Sequence, residues 1–68
     1  MKLKNKIKEL RLKKNLSQAE LAHMIGVSRQ TIISIEKAVC IPSTLLAIRL
    51  SKVFGKSVNE LFFLASKK

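Results

Sequence analysis

The chain has 68 residues, with fourteen Lys and Arg against four acidic residues, all of them Glu, for a formal net charge of +10. That length suits one domain spanning residues 1–68 rather than two. The lone Cys40 excludes an internal disulfide, and no apolar run approaches the ~20 residues that would span a bilayer. The absence of a leader pattern and of paired cysteines places the expected location in the cytoplasm, with no membrane partner. So high a positive charge opposes compaction unless a polyanion neutralises it, which makes nucleic acid the first partner to consider.

Apolar residues recur at helical spacing nearly throughout, so the fold class is read as all-α with five helices. Leu3, Ile7 and Leu10 form the stripe of a first helix, with Lys4, Lys6, Lys8 and Lys13 on its other face. Asn15 stands where a helix end calls for a left-handed residue. Ser17-Gln18-Ala19-Glu20 is a capping box that opens a second helix, with Leu21, Ala22 and Ile25 inward and Gly26 as its stop. Ser28 caps a third helix, whose inner stripe is Ile32 and Ile35. Only Gly26-Val27-Ser28 separates helices two and three, the spacing of a helix-turn-helix.

Pro42-Ser43 starts a fourth helix, with Leu46, Ala47, Leu50, Val53 and Phe54 inward and Gly55 as its end. A second capping box, Ser57-Val58-Asn59-Glu60, leads into Leu61-Phe62-Phe63-Leu64. One short helix turns only part of that apolar cluster inward, so Leu61, Phe62, Phe63 and Leu64 are assigned to a dimer interface. Phe62-Phe63-Leu64 also has strand propensity, and pairing with Met1–Lys4 in a short terminal β-ribbon is the alternative.

Catalysis finds no support. There is no Asp or Tyr, no paired carboxylate and no nucleophile–base set. His23 stands alone, no metal-ligand spacing occurs, and Gly26 and Gly55 do not make a phosphate-cradling loop. No enzyme, cofactor, metal or small-molecule ligand is expected. Met24 and His23 read as partly exposed packing residues.

The runs Leu16-Ser17-Gln18-Ala19-Glu20-Leu21-Ala22, Ile25-Gly26-Val27-Ser28-Arg29-Gln30-Thr31-Ile32 and Ile35-Glu36 resemble the lambda-repressor-like (Cro-type) helix-turn-helix family. The likeness extends from about Asn5 to Phe63, most closely to short bacterial and phage regulators. It implies a transcriptional regulator, expected to be a repressor, that binds double-stranded DNA as a homodimer on an inverted repeat. If Ile32 and Ile35 face the core, Arg29, Gln30, Ile33, Ser34 and Lys37 face outward on helix three. Arg29 suits guanine, Gln30 suits adenine, and Ile33 offers apolar contact to a thymine methyl. The resemblance places base reading on these positions, adds Ser28 at the helix start, and makes Gln18 a backbone anchor. It also implies a partly buried ion pair between Arg11 and Glu36.

The sequence departs from the family after Glu36, where Lys37-Ala38-Val39-Cys40-Ile41 lacks the usual Asn-Gly turn. Without Gly the left-handed turn loses its easiest residue, and a backbone amide contact to phosphate is in question. Lys37 would then act through its side chain. Cys40 is read as a small buried apolar group. Leu45 is apolar where the family is polar, and Val39, Ile41 and Leu45 would serve an antitoxin-like protein-interaction module, the first alternative. A basic RNA-binding helical protein is the second, weakened by the absence of Tyr and Trp for stacking.

Overall fold

The computed structural model describes residues 2–65, with the Lys2 side chain left aside. A short strand β1 (Lys2–Asn5) is followed by α1 (Ile7–Lys13), α2 (Gln18–Ile25), α3 (Arg29–Glu36), α4 (Thr44–Phe54) and α5 (Val58–Leu61), and strand β2 (Phe62–Ala65) closes the order. The five helices in this order make the fold lambda-repressor-like, with the helix-turn-helix formed by α2 and α3.

Each helix start follows from a local hydrogen bond. Ser17 Oγ accepts from the Glu20 amide at 3.0 Å, and the Glu20 carboxylate accepts from the Ser17 amide at 2.7 Å. Ser57 and Glu60 repeat the arrangement at α5, while Ser28 and Ser43 cap α3 and α4 by their hydroxyls alone. These caps satisfy amides that the first helical turn leaves without partners. At the far end of α2, Gly26 takes φ 75, and an added Cβ there would lie 3.3 Å from Arg49 Nη1. That guanidinium nitrogen donates to the Ile25 carbonyl at 3.0 Å, so α4 closes the open end of α2. Both backbone conformation and space therefore call for glycine at the turn.

The core gathers Ile7, Leu21, Ala22, Ile25, Ile32, Ile35, Leu50, Phe54 and Leu61, one or more residues from every helix. Leu46 and Val53 of α4 pack against it from its margin.

Two expectations from the sequence change here. Leu3 belongs to β1 rather than to the first helix, which begins only at Ile7. The spacing of Leu3 and Ile7 fits a helix, but Lys2–Asn5 instead pairs antiparallel with Phe62–Ala65, Leu3 opposite Leu64 and Lys4 opposite Phe63. The terminal ribbon is thus the form the chain adopts, and the Met1 end of the expected pairing lies outside the described residues. Second, Leu61 is fully buried in this chain's own core. It is the last residue of α5, and its carbonyl accepts from the Lys6 amide at 2.9 Å, which ties α5 to the start of α1. An outward interface role for Leu61 is therefore withdrawn.

Candidate nucleic-acid interface

The base of the candidate site is a buried polar network. Arg11 Nε donates to Glu36 Oε2 at 2.7 Å, and the two side chains are only 8% and 5% exposed. Arg11 Nη1 also donates to the Leu16 carbonyl at 2.8 Å, and Gln18 Nε2 donates to Glu36 Oε1 at 3.2 Å. Among the described residues no buried side-chain polar atom lacks a partner, so the desolvation of both charges is offset, and the C-terminal end of α3 is fixed against α1 and α2. Asn5 extends the network: its Nδ2 donates to the Ile35 carbonyl at 2.9 Å, and its Oδ1 accepts from the Ile7 amide at 3.1 Å. Neither the Gln18 link nor the Asn5 link is visible in motif spacing, because each joins residues from separate elements.

On this base, Ile32 and Ile35 point into the core and the opposite face of α3 is presented outward. Arg29, Gln30 and Lys37 are exposed, while Ile33 and Ser34 are half-buried at the margin. Gln30 and Lys37 lie two helical turns apart, so they share a face. Ser28 is occupied as a cap: its hydroxyl accepts from the Thr31 amide at 3.2 Å and bonds the Thr31 hydroxyl at 3.0 Å. Gln18 has one of its two N–H donors committed to Glu36. Phe62, Phe63 and Leu64 are remote in sequence from this face and belong to β2. Phe62 packs against the core, whereas Phe63 and Leu64 are 40% and 62% exposed.

The turn after α3 corrects a further expectation. Ala38 adopts φ 61, so the left-handed turn is made without glycine. The amides of Lys37, Ala38, Val39 and Cys40 donate to the carbonyls of Ile33, Ile35, Ser34 and Ser34 respectively. Cys40 is exposed rather than buried, because this loop runs outside the core. Val39, Ile41 and Leu45 are likewise exposed, at 78%, 72% and 56%. Among the described residues no group of three His, Cys, Asp or Glu is placed to hold a metal, and no helix is long and apolar enough to cross a membrane.

A short turn between two helices, the second with a polar outward face and an ion pair behind it, defines the helix-turn-helix class. A helix-turn-helix family model matches residues 7–61, and the chain belongs to that family, in its lambda-repressor-like form. The chain is 44% identical over 62 residues to the uncharacterised HTH-type transcriptional regulator YgzD of Bacillus subtilis, covering 91% of this chain and 94% of that one. It is 48% identical over 60 residues to an uncharacterised HTH-type transcriptional regulator of Methanocaldococcus jannaschii, covering 88% and 91% of the two chains. The cryptic phage CTXphi transcriptional repressor RstR of Vibrio cholerae is 35% identical over 57 residues, which span 84% of this chain but 51% of RstR.

Proposed function

We propose that this chain is a sequence-specific regulator of transcription that binds double-stranded DNA through α3, acts as a homodimer and represses from an inverted-repeat operator. The observation that carries the reading is the outward face of α3, with Arg29, Gln30 and Lys37 exposed over a buried Arg11–Glu36 pair. A helix so presented fits the major groove, where Arg29 pairs with guanine and Gln30 with adenine and Ile33 meets a thymine methyl. Ser28, Ser34 and Gln18 flank that contact. The relatives' names, regulators of transcription and in one case a phage repressor, support the same direction. In the homodimer, Phe63 and Leu64 of β2 with Phe62 beneath them provide the apolar contact.

Selection of binding sites from random duplexes tests the reading. The expected result is an inverted repeat with half-site centres ~10 base pairs, or ~34 Å, apart. Arg29→Ala is expected to weaken binding to the selected site by about 1–3 kcal/mol and to relax one base position. Failure to enrich any sequence overturns specific recognition. The exposure of Val39, Ile41 and Leu45 favours a second reading, in which the same fold acts chiefly through a partner protein. An unselective pool together with a stable protein complex that Ile41→Lys abolishes would favour that one.

A further inference from the structure

A cleft of about 270 Å³ opens at the C-terminal end of α3, lined by Lys4, Asn5, Glu36, Lys37 and Ala38. Its two cations come from separate elements, Lys4 from β1 and Lys37 from the C-cap of α3. We propose that Lys4 and Lys37 form a clamp for a single DNA backbone phosphate, so that the terminal β-ribbon takes part in DNA binding. The proposal rests on the DNA-binding reading above.

Three observations lead to it. The acidic wall of the cleft is already compensated, since both Glu36 oxygens accept from Arg11 or Gln18. Neither lysine is ion-paired among the described residues, so two uncompensated cationic residues line one cavity, and an oxyanion bound there would be attracted by both. The turn offers no alternative ligand: the amides of residues 37 to 40 all donate within the chain. A phosphate arriving here must therefore be held by side chains. Finally, Lys4 is positioned rather than trailing. The next residue, Asn5, is bonded to the Ile35 carbonyl, and Lys4 itself stands opposite Phe63 in the ribbon.

The dimensions agree with a backbone contact. Helix α3 has 8 residues, and at 1.5 Å per residue it is about 12 Å long, close to the ~12 Å width of the major groove. With its N-terminal residues against base edges, its C-terminal end arrives at the groove wall, where the phosphates lie. Lys37 and Lys4 meet the strand there as point charges, independent of base sequence.

The test is the salt dependence of affinity for a short labelled duplex, measured for the whole chain by fluorescence anisotropy. The slope of log K against log salt changes by ~0.9 for each phosphate neutralised. Lys4→Ala and Lys37→Ala are each expected to flatten the slope, and the double variant to flatten it by about 0.9 in total, the value for one shared phosphate. Lys4→Arg is expected to restore it, and Lys52→Ala on α4, which does not line the cleft, to leave it as in the parent. Unchanged melting temperatures separate this from unfolding. A parent-like slope for Lys4→Ala beside a flattened one for Lys37→Ala overturns the clamp while DNA binding stands. A double variant flattened by about 1.8 overturns a shared phosphate in favour of two separate ones. A parent chain that does not bind the duplex at all overturns the DNA reading and the clamp with it.

Discussion

Residues 7–36 and the residues after them contribute to one core but differ in how many large apolar side chains they leave exposed. In the first segment, Ile7, Leu21, Ile25, Ile32 and Ile35 are buried, and Leu12 and Met24 are its only exposed large apolar residues. In the second, Val39, Ile41, Leu45, Ile48, Phe63 and Leu64 all stand on the surface. The first segment buries most of its large apolar residues together with Leu50, Phe54 and Leu61 of the second, and turns Arg29 and Gln30 of α3 outward. The second leaves these side chains open to water, the kind of surface that the proposed self-association would cover. Charge is divided in the same sense: the buried ion pair stabilises the presentation of α3, and nothing comparable lies beneath the outer face of α4.

If that contrast is right, the largest effects on stability belong to the first segment. Arg11→Ala or Glu36→Ala leaves an uncompensated buried charge and is expected to destabilise the chain by about 3–5 kcal/mol in urea unfolding. The double variant should be less than additive, and a coupling near zero in the cycle would show that the two charges act independently. Next comes the turn between the segments. Ala38→Gly relieves an L-residue from φ 61 and is expected to stabilise by about 0.5–1 kcal/mol, since glycine takes that conformation freely. A lower melting temperature for this variant would contradict that account.

In the second segment, Leu64→Lys is expected to change protomer stability by no more than about 0.5 kcal/mol, as at other exposed positions. The same change should reduce self-association in sedimentation, and a fully dimeric variant would remove β2 from the interface. The mildest effect concerns acid. Hydrogen bonds from the Ser57 amide, then from its side chain, hold the Glu60 carboxyl below its ordinary value. A depressed folded-state value contributes stability above the unfolded-state value, and that contribution is lost as pH falls through the folded one. Protection of the Ser57 amide from exchange, taken relative to the unstructured rate at the same pH, should therefore fall below the usual carboxylate range, and Glu60→Gln should remove that change in protection.

What the sequence revealed follows the range of the interactions. Ser17, Ser28, Ser43 and Ser57 as caps, with Gly26 and Gly55 as stops, are local features and are found in the structure where spacing placed them. The inner stripes of α3 and α4 were equally legible, because a helical period reports which face is buried. Leu3 was misplaced because its strand partner lies at the other end of the chain, and helical spacing alone does not exclude a strand. Cys40 was misplaced because apolarity says nothing about whether a loop reaches the core. Leu61 and Leu64, three residues apart in one apolar run, have opposite fates: the chain leaves α5 for β2 between them. In the candidate site the exposure of Arg29, Gln30 and Lys37 was legible from Ile32 and Ile35, whereas Ile33 and Ser34, read as outward too, are half-buried. The links from Gln18 and Asn5 to the end of α3 were not, since they depend on three-dimensional proximity between distant segments.

The pairing of β1 with β2 also sets an order of events during synthesis. Lys2 cannot meet Ala65 until residue 65 has left the ribosome, whereas α1, α2 and α3 are complete once residue 36 has emerged. Joining such distant segments also carries a larger loop-closure entropy than any contact within the helices. The ribbon is therefore expected to close last, and Lys4 takes up its position only then. If the proposed clamp operates, the contact from Lys4 is therefore the last part of it to be assembled.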